Sequence, residues 1–262
     1  MNMRYWILLS CMLLSSLVQA AQKDIAPLLE QLHSPIADSL KHVVSKQVEQ
    51  QLVAYFSDDN LLQKTIDSLS YIGSAADQGN TLRIVTWNYG LSDGSYGCHA
   101  LFIKKNGKKA PLIHAFSTTQ TQLPAIHKKY NAKNWYGALY YRIIYYKKKY
   151  YLLGYTTYQT ATRVKLIDVL TYQKNKPQLG EKVFEVNNKL QWRMVFEYSS
   201  YAQMLLHYDE VQKGFIFDHL SPEEPSMDGI RAFYGPDFSY DGLFYHNKKW
   251  VLRSDLDIKN LE

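Results

Sequence analysis

Asp218-His219 and the carboxylates Asp237 and Asp241 are the residues most able to do acid–base chemistry in this chain. An Asp orients a His for proton transfer when the two can touch. Neighbours on a strand point to opposite faces, so Asp218 cannot pair directly with His219, and the pair also reads as a strand end entering the turn at Pro222. Gly235-Pro236 predicts a turn within a loop from Tyr234 to Gly242. A two-residue turn at Asn247-Lys248 sets Tyr245 opposite Trp250 and Leu243 opposite Leu252, with Asp241 on the same face. Asp237, Tyr240, Asp241, Tyr245 and Trp250 then border an aromatic surface suited to a sugar or a cationic group. Asp228, Asp237 and Asp241, with Asp255 and Asp257, could line a calcium site, but their spacing fits no EF-hand and Asp-Gly is an ordinary turn.

Cys98, His99 and His114 form a second group. A two-residue loop at Asn106-Gly107 sets Lys105 against Lys108, Leu101 against Leu112 and His99 against His114, although Pro111 weakens this register. Two imidazoles are two metal ligands; a zinc site takes three or four, and no third is assignable. Cys98 falls on a strand, facing Ala115, without the helix N-terminus or adjacent imidazole that makes a thiolate, and reads as a buried structural residue. Dinucleotide, Walker, zinc-protease and Cys-x-x-Cys motifs are absent, so nothing calls for a cofactor. Gly94-Ser95-Tyr96-Gly97 misses the nucleophile elbow by one residue and reads, with Asp93, as a turn.

The elements that must position these groups change character along the chain. Ile25, Leu28, Leu29 and Leu32 keep helical spacing behind Asp24, and Ile36, Leu40, Val43, Val44, Val48 and Leu52 continue it after Ser34-Pro35 as far as Phe56. A short third helix is predicted through Leu61, Leu62, Ile66 and Leu69. From residue 80 onward the period is two, with turn signals at short intervals. Strands are expected from Leu82–Asn88 through Lys249–Arg253, with a Lys147–Lys149 hairpin tip bringing Tyr145 and Tyr146 to Tyr150 and Tyr151. No helix separates the strands, so the expected fold is mainly β. It is an antiparallel meander, barrel-, sandwich- or propeller-like, preceded by a helical segment. The expected organisation is a leader at 1–20, helices at 21–75 and an antiparallel β domain at 80–262.

The chain has 262 residues, 46% hydrophobic and 21% charged, which excludes a disordered or low-complexity chain. Arg4, the apolar stretch Tyr5–Val18 and Val18-Gln19-Ala20 read as a cleaved export signal; the stretch is too short for a membrane span. Met12, Leu13 and Leu14 continue the apolar run past Cys11, which disfavours a lipoprotein. Cleavage removes Cys11 and leaves Cys98 alone, with a formal charge of +5 instead of +6. Lysines cluster at 104–109, 128–133, 147–149 and 248–249. They read as solvated hairpin tips guarding strand edges, or as a basic surface for anionic envelope polymer or lipid headgroups. Nucleic acid is excluded as a partner for an exported chain with no binding motif. The 22 tyrosines against 10 phenylalanines serve either the core or an exposed platform for sugars or peptides.

Leu82-Arg83-Ile84-Val85-Thr86-Trp87-Asn88, Tyr150–Tyr155, Lys165–Leu170, Phe196–Ser199 through Phe217–Pro222, and Tyr234–Gly242 occur in an order that resembles an uncharacterised family of exported proteins from Bacteroidota, over roughly residues 80 to 260. The resemblance implies an envelope address and supplies no catalytic residues. The expected role is a non-catalytic, envelope-associated binding or scaffold protein for a glycan, peptide or protein. The alternatives are a hydrolase of envelope polymer using Asp218, His219, Asp237 and Asp241, and a structural assembly component whose N-terminal helices dock a partner. Intact-mass analysis of the exported protein should find an N-terminus at or within a few residues of Ala21. A retained Met1, or a diacylated Cys11, contradicts the export reading.

Overall fold

The computed structural model describes residues 24–57, 66 and 69–257. Residues 24–32 form helix α1 and Asp38–Phe56 form α2. The buried face of α2 is Val44, Ser45, Val48, Leu52, Tyr55 and Phe56; Leu40 and Val43, expected in the same stripe, face solvent. The predicted third helix lies mainly outside the described residues, and strand β1 already begins at Ile72, inside the segment expected to be helical. The predicted leader also lies outside them. Among the described residues no helix is long and apolar enough to cross a membrane.

The fold is mainly β, built from three sheets stacked face to face behind the helices, and none closes into a barrel. The first sheet is the meander β1 (Ile72–Ala76), β2 (Leu82–Gly90), β3 (Tyr96–Asn106) and β4 (Lys109–Gln120). The second joins β5 (Leu139–Tyr146), β6 (Lys149–Thr156), β7 (Thr162–Gln173) and β11 (Met194–Ser199), with β8 (Lys176–Leu179) also on β7. The third has the order β10-β9-β15-β14-β13-β12, from β9 (Phe184–Val186), β10 (Lys189–Gln191), β12 (Leu206–Asp209), β13 (Gly214–Pro222), β14 (Tyr234–His246) and β15 (Lys249–Arg253). Pairing is antiparallel except for the short contact of β15 with β9.

Side-chain alternation divides the interior into three cores. Val85, Trp87, Leu101 and Ile103 of the first sheet meet the helices, and Trp87 Nε1 donates to Ser45 Oγ at 2.9 Å. The opposite face, with Ile84, Phe102 and Phe116, packs on Leu152, Leu166 and Leu170 of the second sheet. The other face of that sheet, with Tyr151, Leu153, Ile167 and Val169, packs on Phe215, Phe217, Leu243 and Trp250 of the third. Burial of both faces of the middle sheet explains why β6 and β7 read as nearly unbroken apolar runs.

Hairpin registers depend on residues with positive φ. The Asn247-Lys248 turn has φ of 46° and 65°, and Tyr245 faces Trp250 as expected. The Lys147–Lys149 tip is a two-residue turn at Lys147-Lys148, φ 48° and 63°, so Tyr145 faces Tyr150 while Tyr146 faces Lys149. The β3–β4 register differs from expectation. Gly107, φ 62°, and Lys108 form the loop, the register shifts between Lys104 and Asn106, and the Lys105 amide bonds Thr81 O at 2.9 Å. His99 therefore faces Ser117, Cys98 faces Thr118, and His114 faces Phe102, which puts the two histidines on opposite faces of the sheet. The expected loop Tyr234–Gly242 is instead the first half of β14. Pro236 is tolerated there because β15 pairs only with Gly242–His246, so on that side no ladder donor is required of it.

A buried ion pair ties the chain between β10 and β11, and the β4–β5 connection, to the face of the middle sheet that looks toward the first sheet. Arg193, between β10 and β11 where the chain returns to the second sheet, donates Nε to Asp168 Oδ2 of β7 at 3.0 Å, with both side chains 0% exposed. Tyr136 Oη donates to the same oxygen at 2.8 Å, and the Val169 amide bonds Oδ1 at 2.7 Å. Arg193 Nη1 also donates to the carbonyls of Ala125 and Lys128, holding the long connection between β4 and β5. Gly180, φ 96°, lies in the crossing from β8 to β9; a Cβ there would sit 2.5 Å from Arg193 Nη2.

Candidate functional site

The third sheet carries a distortion where β13 meets β14. Asp218 pairs with Tyr240 and Leu220 with Pro236, so His219 alone stands against Asp237, Phe238 and Ser239. Bulges of this kind re-aim side chains and are frequent beside binding sites. Asp237 Oδ1 accepts from the Ser239 amide at 3.1 Å and from Ser239 Oγ at 2.7 Å, closing an Asx turn. Phe238 at its apex has φ 70° and is 95% exposed. A bulky side chain in that region is strained, a condition that concentrates at functional sites.

The bulge turns His219 onto Asp241, not onto its neighbour Asp218. His219 Nδ1 and Asp241 Oδ2 are 2.8 Å apart, with the imidazole 40% exposed and the carboxylate 9%. Asp241 Oδ1 accepts from the Asp255 amide at 3.4 Å. The bond to Asp241 raises the His219 pKa; partial burial opposes it, and the charges of Asp241, Asp237 and Asp255 add to the rise. For Asp237 burial acts upward, but bonds from Ser239, the charge of His219 and the Ser221 hydroxyl bring the carboxyl below its ordinary value. With Nδ1 committed, Nε2 has no protein hydrogen-bond partner among the described residues. That is the arrangement of a general acid–base, but no described Ser, Thr or Cys is hydrogen-bonded to His219, so it activates no protein nucleophile.

A cleft of about 860 Å³ opens beside this group. Its walls include Ser221 and Glu223 after His219, Gly235 and Pro236 of β14, Phe233, and Tyr201 between β11 and β12. Tyr201 is 98% exposed and Phe233 42%. Ser221, in the cleft wall, lies close enough to Asp237 to help lower the pKa of that carboxyl.

The remaining sequence candidates disperse. Asp218 Oδ2 caps the Leu205 amide at 2.6 Å, and Asp228 accepts from Tyr234 Oη. Tyr240 is half-buried in the ladder opposite Asp218. Trp250 is 0% exposed, and half-buried Tyr245 packs on it with ring centroids 5.3 Å apart, so the expected aromatic surface is core and offers Trp250 no face for a ligand. His99 stacks on Trp87 at 5.1 Å and has Nδ1 3.6 Å from Glu49 Oε2; burial lowers its pKa despite that carboxylate. His114 lies on the other face, beside Tyr172. Among the described residues no three His, Cys, Asp or Glu side chains gather as a metal site. Cys98 is buried as expected, and burial pushes its thiol up to about 12. The His219–Asp241 pair was invisible in the sequence because it depends on the bulge. No family model matches the chain, and neither a curated protein nor a solved structure matches it.

The dyad sets a pH dependence. A raised folded pKa contributes stability that is fully present below the unfolded value of about 6.5 and is lost as pH rises through the folded value. Asp241→Asn should therefore lower the melting temperature more at about pH 5.5 than at about pH 8.5, and an NMR titration of His219 should show its pKa fall. An equal loss at both pH values, with an unshifted His219 titration, contradicts the assignment.

Proposed function

We propose that the protein is exported and acts at the cell envelope as a non-catalytic binding protein, with the cleft beside His219 as its ligand site. The observation that carries this reading is the cleft itself: exposed Tyr201 and Phe233 rings with the carboxylate Glu223 in its wall, and Asp237 next along β14 after the lining residue Pro236. Aromatic faces that take apolar C–H surfaces, beside carboxylates that accept from hydroxyl or ammonium groups, suit an envelope glycan or its peptide substituents. The export signal read from Arg4 to Ala20 and the likeness to exported Bacteroidota proteins support the address, and a lone cysteine kept buried suits an oxidising compartment.

One observation favours a second reading, hydrolysis of the same polymer: His219 is oriented by Asp241 and has a free Nε2 that could deprotonate water. The two readings separate in one experiment. Soluble peptidoglycan fragments and oligosaccharides are titrated against the wild type, Tyr201→Ala and Asp237→Asn, with melting temperatures and product analysis in parallel. Tyr201 is exposed and the hydrogen bonds Asp237 accepts come from its own turn, so both variants should keep their melting temperature within a few degrees while losing about tenfold or more in affinity. Saturable binding without turnover supports the binding role. Turnover abolished by Asp241→Asn supports hydrolysis, and undiminished binding by both variants removes the cleft from either account.

A further inference from the structure

In an antiparallel meander, alternate turns lie at opposite ends of the sheet, so the stack has two ends of different composition. The turns of β3–β4, β5–β6, β7–β8, β12–β13 and β14–β15 share one end. Tyr146 beside the β5–β6 turn packs on Tyr245 and Trp250 beside the β14–β15 turn, with ring centroids 5.4 and 5.5 Å apart. Lys104 Nζ lies 4.1 Å from the ring centroid of Tyr172, which connects the β3–β4 and β7–β8 turns. Gly214, the first residue after the β12–β13 turn, pairs with Phe244 near the β14–β15 turn.

The apices of these five turns carry Lys108, Lys147, Lys148, Lys174, Lys213 and Lys248, all exposed. None is in an ion pair among the described residues, whereas Lys149 and Lys249, just inside the turns, are paired with Glu181 and Glu185. The backbone makes the placement unusual. Lys147, Lys148, Lys174, Lys213 and Lys248 all have positive φ, from 48° to 65°, where Gly and Asn are the favoured residues. Hairpins chosen for turn stability alone would carry Asn-Gly there; these carry charge at a conformational cost.

We infer that this end of the stack is a docking surface for an anionic lipid bilayer. The charges project from convex tips on all three sheets, and sheets stack about 10 Å apart, so the array extends about 20 Å and faces a surface better than a single bound group. All six are ammonium point charges with no guanidinium fork among them, which suits diffuse headgroup charge. Val211 at the β12–β13 turn, 91% exposed, and Tyr145 beside the β5–β6 turn, 54% exposed, add apolar contact between the lysines. His219 and its cleft lie toward the opposite end, near the β13–β14 connection, and would be presented away from the bilayer. This inference does not depend on what the cleft binds.

The test is sedimentation of the mature protein with vesicles of phosphatidylcholine alone and of phosphatidylcholine with roughly one third phosphatidylglycerol. A variant combining Lys147→Asn, Lys148→Gly and Lys248→Gly is measured alongside. These substitutions install Asn-Gly turns, so the variant should melt at or above the wild-type temperature. The expected result is binding to the anionic vesicles only, weakened by salt and reduced on the order of a hundredfold in the variant. Absent binding, equal binding to neutral vesicles, undiminished binding by the folded variant, or tighter binding to soluble polyphosphate than to anionic vesicles would overturn the proposal.

Discussion

The connections that run over the middle sheet depend on one buried ion pair, Asp168 with Arg193. Two charges removed from water cost several kcal/mol each unless each meets its partner and its remaining polar atoms are bonded. Here the carboxylate accepts from Arg193, Tyr136 and the Val169 amide, while the guanidinium also holds two carbonyls of the β4–β5 connection; only its Nη2, against Gly180, is buried without an acceptor among the described residues. Its ring neighbours are aromatic, with Tyr130 and Tyr136 centroids 4.6 and 5.6 Å from Arg193 Cζ. The pair lies beside both ends of the excursion from the second sheet, at Gly180 where the chain leaves it and just before Met194 where it returns.

The other face of the middle sheet sets the position of the candidate site. The face of the third sheet with Phe215, Phe217, Leu243 and Trp250 is set against the middle sheet, which leaves the β13–β14 bulge at the edge of the core. There a carboxylate can be 9% exposed while its histidine partner stays 40% exposed. This half-buried setting strengthens the Asp241–His219 bond without closing His219 off from a ligand. The strain at Phe238 belongs to the same bulge, since the Asx turn that places Asp237 near His219 forces its neighbour into positive φ.

The alternation of apolar residues made most of the sheet legible in the sequence, because period two survives wherever one face is buried. Three strands, β1, β8 and β10, escaped it because Ile72–Ala76, Lys176–Leu179 and Lys189–Gln191 carry too few large apolar residues to show a period, and Gly235-Pro236 disguised the first part of β14. The Asn247-Lys248 hairpin was readable because one turn type satisfies both its length and its backbone. Asn106-Gly107 misled for the opposite reason: a single bulge at Lys105 moved His99 and His114 to different faces. Asp237, Asp241 and His219 were identifiable by residue type, but their meeting was not. Asp168 is itself a signal in the sequence, since a carboxylate inside Leu166-Ile167-Asp168-Val169-Leu170 requires a buried counter-charge.

Equilibrium denaturant unfolding of Arg193→Met tests the anchor most directly. Methionine fills part of the space with apolar surface but leaves Asp168 buried without its cation, for which the expected loss is about 3–5 kcal/mol. A loss within about 1 kcal/mol, the ordinary range of a mild core substitution, would contradict the claim that this pair anchors the connections over the middle sheet.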